Sequence, residues 1–140
     1  MKKNRIQNAL ISILILSSFS ASAQTLCFKS DEKRGRIIRL TMRIMPDGEW
    51  AHIRYFGKNK DLKIKLKSEA VKSLNNTQTP IVVESRWMEY LNGTETGEYR
   101  LTTQGAIVGK LIYFRERDNR KFSFYDDKEA YGLNGCIWEK

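Results

Sequence analysis

Residues 62–67 alternate strictly between apolar side chains and lysines. The apolar members are Leu62, Ile64 and Leu66, and the charged members are Lys63, Lys65 and Lys67. A period of two residues is typical of a β-strand that buries one face and exposes the other. A sheet with one solvated face is normally antiparallel. The segment therefore predicts an antiparallel sheet with lysines on its outer surface.

The rest of the chain is also built from short apolar or alternating segments that end at turn-forming residues. These segments are residues 36–45, 50–56, 81–91, 98–104, 106–115, 121–126 and 135–138. Ser68 is a suitable N-cap for a short helix over residues 69–74. Regularly spaced short strands are typical of a small antiparallel β-barrel or a sandwich. We therefore expect a mainly β domain of seven to nine strands with one short helix, built as a barrel or a sandwich.

The N-terminus has the features of an export signal. A positive leader and an apolar run over residues 9–16 precede the sequence Ala-Ser-Ala at residues 21–23. The apolar run is shorter than the about 20 residues that cross a bilayer. The sequence therefore predicts a signal peptide at residues 1–23, a single domain at residues 24–140 and no membrane anchor. The compact, lysine-rich leader is typical of bacteria and indicates the periplasm or secretion.

The chain has two cysteines, Cys27 and Cys136. Two cysteines in an oxidising compartment most often form a disulfide. Leu26 beside Cys27 does not fit a bacterial lipidation site, and one histidine is too few to complete a tetrahedral zinc site with two thiols. We predict a Cys27–Cys136 disulfide that joins the first and last strands. A metal site or a reactive thiol is the alternative.

The charge of the chain is strongly positive. The formal net charge is +9, and removal of the leader with its three basic residues lowers it to +6. Residues 24–72 carry this surplus. A basic surface attracts acidic proteins, anionic envelope polymers or lipid headgroups, and it also keeps a small domain soluble. We expect a protein partner in the cell envelope, with an anionic polymer as the alternative, and no nucleic acid because an exported protein rarely meets it.

The strand predicted at residues 50–56 concentrates side chains suited to binding. Trp50, His52 and Arg54 share one of its faces. Trp and Arg are enriched at binding hot spots, although aromatic rings also fill the cores of small domains. The predicted binding residues are Trp50, His52, Arg54, Lys63, Lys65, Lys67 and Trp87.

Catalytic chemistry has little support in the sequence. His52 is the single histidine, and neither a Ser-His-Asp order nor a nucleophile motif is present. Sequence spacing does not place Glu84 and Glu89 at the separation that a glycosidase requires. Phosphate-binding, dinucleotide and calcium motifs are also absent. We predict no catalytic residue, no metal and no cofactor, and the alternative is a small envelope hydrolase that uses carboxylates or His52.

Residues 26–28 (LCF) and 134–138 (NGCIW) place one cysteine just after the leader and one near the C-terminus. This placement resembles that of the small exported inhibitors of c-type lysozyme. The resemblance covers the two ends of the chain and implies a compact antiparallel barrel with an inhibitory role, without assigning functional residues. Because c-type lysozymes are themselves cationic, like-charge repulsion favours a different target for this chain.

These observations together predict the class of function. We expect an exported, non-catalytic binding or inhibitory protein that neutralises an enzyme or toxin acting on the envelope, as immunity proteins do. The alternatives are a small envelope hydrolase and a protein that binds anionic envelope polymers or lipid headgroups.

Overall fold

The computed structural model describes residues 22–31, 35–72 and 81–138, so residues 1–21 of the predicted signal peptide lie outside it. Its main element is a closed antiparallel barrel in which each strand pairs with the next and β1 pairs with β8. The strands are β1 (Gln24–Ser30), β2 (Arg39–Ile44), β3 (Trp50–Tyr55), β4 (Leu62–Lys72), β5 (Val82–Leu91), β6 (Thr94–Gln104), β7 (Ile107–Arg115) and β8 (Arg120–Asp126). The expectation of a small antiparallel barrel is confirmed, and the sandwich does not form.

Alternate residues of the strands fill the barrel interior, as closure of a small barrel requires. The buried core consists of Leu26, Phe28, Leu40, Met42, Ala51, Ile53, Ile64, Trp87, Tyr99, Leu101, Leu111 and Phe124. On β4, Ile64 is fully buried and Leu62 and Leu66 pack against this core. The lysines between and after them are exposed. The alternation predicted for residues 62–67 is therefore confirmed.

The helix predicted at residues 69–74 is wrong for the part that the structure describes. β4 continues through Lys72, and its last residues pair with β5, including Glu69 with Ser85 and Val71 with Val83. Residues 73 and 74 lie outside the described residues. A ladder with a neighbouring strand outweighs the weak helix propensity of so short a segment. Helical structure in the described residues is limited to two single 3₁₀ turns, at Glu116–Asp118 and Lys128–Ala130.

The barrel closes at a short seam between β1 and β8. Three residue pairs form this seam, from Phe28 opposite Asp126 to Ser30 opposite Phe124. One further backbone hydrogen bond, from Asp127 N to Cys27 O at 2.8 Å, extends it. The strand that closes the barrel against β1 is therefore β8. The sequence had indicated instead that β1 would be joined to a last strand formed by the C-terminal segment.

The C-terminal segment forms a separate two-stranded hairpin of β9 (Tyr131–Gly132) and β10 (Gly135–Cys136). The strand expected over residues 135–138 is therefore shorter than predicted, and its partner is β9. We call residues 131–138 the C-terminal hairpin.

The predicted Cys27–Cys136 disulfide is present, with the two Cα atoms 5.6 Å apart. Cys27 lies between Leu26 and Phe28, which both point into the core, so its own side chain faces outward. It is nevertheless completely buried, because the C-terminal hairpin covers it. Tyr131 reinforces this contact: its hydroxyl accepts a hydrogen bond from Cys27 N at 3.2 Å. The disulfide therefore fastens the hairpin onto the outside of β1.

Candidate functional site

The outer surfaces of β2, β3 and β4 carry a continuous band of cationic side chains. Arg43, His52 and Lys63 lie opposite one another across the three strands. In the next row, Trp50 lies opposite Lys65. We call this surface the basic face, and its members are Arg43, Trp50, His52, Arg54, Lys63 and Lys65. Five of the seven predicted binding residues thus lie together, and sequence reasoning missed Arg43, although it alternates with the buried Met42.

Trp50 lies at the centre of two cation–ring contacts on the basic face. Lys63 Nζ lies 4.1 Å from the centroid of the indole ring, and Lys65 Nζ lies 5.4 Å from it. A cation over an indole ring is attracted by the ring's electron density. The indole and the two ammonium groups therefore lie close together on the outer surface.

A groove of about 670 Å³ runs between the basic face and the C-terminal hairpin. Arg43, His52 and Arg54 line the barrel side, and Asn134 and Trp138 line the hairpin side. Cys136 belongs to the hairpin wall as well, so the disulfide holds the two walls of the groove together. A volume of this size accommodates a few side chains of a partner or a small ligand.

Asp61 is the acidic residue of the groove. Its carboxylate binds the guanidinium of Arg54 directly, and its Oδ2 lies 3.8 Å from Nδ1 of His52. The hydrogen bond from Arg54, helped by the charges of Arg54, His52 and Arg43, lowers the pKa of Asp61. Asp61 is therefore ionised at neutral pH and neutralises one cation of the groove. Arg43 makes no ion pair within the part of the chain that the structure describes.

The two remaining predicted binding residues lie elsewhere. A bulge after Leu66 turns the end of β4, and Lys67 lines a depression with Met88 and Glu98 on the outer surface of β5 and β6. Trp87 is only 2% exposed and belongs to the core, where its indole Nε1 donates a hydrogen bond to Ser85 Oγ at 3.0 Å. Its position gives no support to the binding role predicted for it.

Sequence reasoning did not identify a polar cluster inside the barrel. Glu89 on β5 is 5% exposed and accepts hydrogen bonds from three hydroxyl groups. Thr96 and Tyr113 donate to its Oε1 at 2.8 and 3.1 Å, and Tyr99 donates to its Oε2 at 3.2 Å. The hydroxyl of Tyr55 lies 3.0 Å from that of Tyr99 and extends the network. The sequence shows no signal for this cluster, because its members come from four different strands.

The tyrosines of the cluster are held in their neutral form. Burial raises the pKa of Tyr99, and burial together with the nearby charge of Glu89 raises the pKa of Tyr113. Burial also raises the pKa of Tyr55. The phenol groups therefore keep their protons, which Tyr99 and Tyr113 need in order to donate to Glu89.

We expect Gly97→Ala to destabilise the fold by about 1–3 kcal/mol, the usual cost of overpacking. A Cβ atom at Gly97 would overlap the Tyr113 ring and lie 2.8 Å from its Cζ, so the ring that donates to Glu89 would have to move. Urea unfolding checks this. The same substitution in a Tyr113→Ala background should cost much less, because the clash is absent. An equal cost in both backgrounds would show that the ring does not occupy this space.

The described residues also limit which chemistry is available. Among them, no group of three or more His, Cys, Asp or Glu side chains is arranged to hold a metal ion. None of the helices in these residues is long and apolar enough to cross a membrane.

No protein-family model matches the chain, and neither a curated protein nor a solved structure matches it. The candidate site must therefore be interpreted from its own geometry.

Proposed function

We propose that the protein is an exported, non-catalytic binding protein that neutralises an enzyme or toxin acting on the cell envelope. The basic face is the observation that carries this proposal: the ring of Trp50 contacts two ammonium groups, and the neighbouring row contains Arg43, which has no ion-pair partner among the described residues. Trp and Arg are the residue types that dominate the energetics of protein interfaces.

The charge of the basic face indicates the chemistry of the partner. Arg43, Lys63 and Lys65 have no acidic neighbour in their cross-strand rows, and Asp61 is already bound to Arg54. A partner with an acidic patch complements this surface and associates faster through electrostatic attraction. The groove beside the face provides space for acidic side chains of the partner next to Arg43.

Two observations support binding without catalysis. Both cysteines are joined in the disulfide, so neither provides a nucleophilic thiol. His52 faces the carboxylate of Asp61, which is paired with Arg54, and it lies on an open strand surface. Export is supported by the N-terminal leader and by the disulfide, which persists in oxidising compartments.

Charge reversal on the basic face tests the proposal. Wild-type protein immobilised in periplasmic extract should capture one envelope protein, and the purified pair should bind with a fixed stoichiometry. Arg43→Glu combined with Lys63→Glu should weaken this binding by about 100-fold, since two attractive contacts become repulsive. Binding is measured by calorimetry on the purified pair.

A matched control comes from the opposite side of the barrel. Lys110 and Lys121 on β7 and β8 are also cations near aromatic rings, at 5.5 Å from Tyr125 and 5.9 Å from Phe114. Lys110→Glu combined with Lys121→Glu removes the same charge and should leave the affinity unchanged. Equal losses in both double variants would contradict the assignment of the face. Capture of an anionic polymer instead of a protein, with binding that disappears as salt rises, would support the polymer alternative.

A further inference from the structure

The lower end of the barrel, which carries the β5–β6 turn at Asn92 and Gly93, contains a buried acidic group for which the described residues provide no cationic partner. Glu89 is 5% exposed, and its three hydrogen-bond donors are all neutral hydroxyl groups. Across the residues that the structure describes, no lysine or arginine forms an ion pair with it. A buried charge is costly unless it is paired, and hydroxyl donors offset only part of that cost.

The carboxylate also keeps an open acceptor position. A carboxylate offers about four lone-pair sites. Oε1 receives Thr96 and Tyr113, whereas Oε2 receives only Tyr99. One position on Oε2 therefore has no donor among the described residues.

Glu89 lines a cleft of about 490 Å³ at this end of the barrel. Most of the surface of its walls is apolar, with contributions from Leu91 and Tyr113, and charged side chains line it as well. Small-molecule sites in proteins have this size and composition.

The charges around the cleft favour a cation. Glu95 and Glu116 line it together with Glu89, opposite Arg115 and Arg117. Arg115 is paired with a residue outside the lining: its Nε and Nη2 donate to Asp118 at 2.9 and 2.7 Å. The hydrogen bond from Arg115 lowers the pKa of Asp118 to about 2, so this pair stays ionised at ordinary pH. Asp118 Oδ2 also lies 3.6 Å from Nε of Arg120, so one carboxylate serves two guanidiniums. Among the described residues of this end, the four carboxylates of Glu89, Glu95, Glu116 and Asp118 therefore outnumber the three guanidiniums of Arg115, Arg117 and Arg120 by one.

We propose that this cleft binds a primary ammonium group, with the carboxylate of Glu89 as its counter-ion and the ring of Tyr113 as one wall. The ammonium would supply the positive charge that pairs with the carboxylate of Glu89. A small amine and a lysine side chain of a partner protein present the same group. The site lies at the barrel end and does not depend on the function proposed for the basic face.

n-Butylammonium chloride is the probe, and amide chemical shifts of the full protein are the readout. We expect saturable shifts confined to residues around Thr96 and Tyr113, and no such shifts with 1-butanol, which has the same chain without the charge. Glu89→Gln keeps the size of the side chain and should weaken binding of the probe at least tenfold. Glu84→Gln, on the same strand but paired with Lys72 at 3.1 Å, is the matched control and should bind as the wild type does.

Leu91→Lys provides a second variant if Glu89→Gln does not fold. Leu91 is 44% exposed at the rim of the cleft, so a tethered ammonium there should compete with the probe and weaken its binding. Equal binding of butylammonium and butanol would overturn the proposal, as would unchanged binding in the variants or no localised shift. If butylammonium binds and also releases a captured partner, the natural ammonium is a lysine of that partner. If it binds without releasing the partner, the natural ligand is a small amine.

Discussion

A Cys27→Ala/Cys136→Ala variant should lose about 2–5 kcal/mol of unfolding free energy while keeping its barrel. The disulfide joins residues 109 apart in sequence, and cross-linking so long a loop removes much of the unfolded chain's entropy. The barrel should persist because β1 and β8 close it through their own backbone pairs. The loss of ordered structure should instead be confined to the C-terminal hairpin, which forms one wall of the groove.

Chemical denaturation followed by far-UV circular dichroism gives the stability of this variant, and hydrogen exchange locates the loss. Wild-type protein treated with a dithiol reductant is the control for side-chain effects of the substitutions, and it should behave in the same way. Loss of the β-sheet signal in the variant under native conditions would contradict closure by β8 alone.

Trp87→Ala should destabilise the protein by about 3–5 kcal/mol, whereas Trp50→Ala should cost less than about 1 kcal/mol. The two residues are the same type but lie on opposite sides of the barrel wall. Trp87 is packed in the core, so its truncation leaves a cavity and removes the donor to Ser85 Oγ. Trp50 packs against two lysine side chains on the outer surface. Urea unfolding of the two variants checks the difference.

For partner binding we expect the reverse order, in which the substitution at Trp50 has the larger effect. Trp50→Ala should weaken binding of the captured partner, while Trp87→Phe, which retains most of the ring volume, should not. A Trp50→Ala variant as unstable as Trp87→Ala would show that Trp50 is part of the core.

The barrel could be predicted because strand alternation is a local property. In β4, the alternation over residues 62–67 identifies the buried face and the exposed face. The turn-forming residues between the segments limit the lengths of the strands. The cysteine pairing followed from the presence of only two cysteines. The predictions that failed depended on partners distant in sequence. Residues 69–72 include good helix formers, but so short a helix is marginal and β5 provides a ladder instead. The pairing of the last strand likewise depends on tertiary structure and could not be read from the local sequence pattern.

The basic face was largely predictable and the interior cluster was not. Alternation assigned Trp50, His52 and Arg54 to one face of the strand, and in the structure this face is the outer one. It could not show whether Trp87 points inward or outward. Both faces of the strand around Trp87 contain apolar as well as charged residues, so neither face stands out as the buried one. Glu89 occupies an inward position, where sequence rules expect an apolar residue. Its hydroxyl donors lie on β6 and β7, so they are recognised only when three strands are brought together.

The shortness of the β1–β8 seam affects how the barrel opens and closes. Every other ladder joins strands that follow each other along the chain, so those hairpins assemble with little loss of loop entropy. Only the seam joins two barrel strands that are far apart in sequence, since β1 is the first strand of the barrel and β8 is the last. It contains three residue pairs. We therefore expect it to be the last ladder of the barrel to form during folding, and its amides should exchange with solvent sooner than those of the β5–β6 ladder.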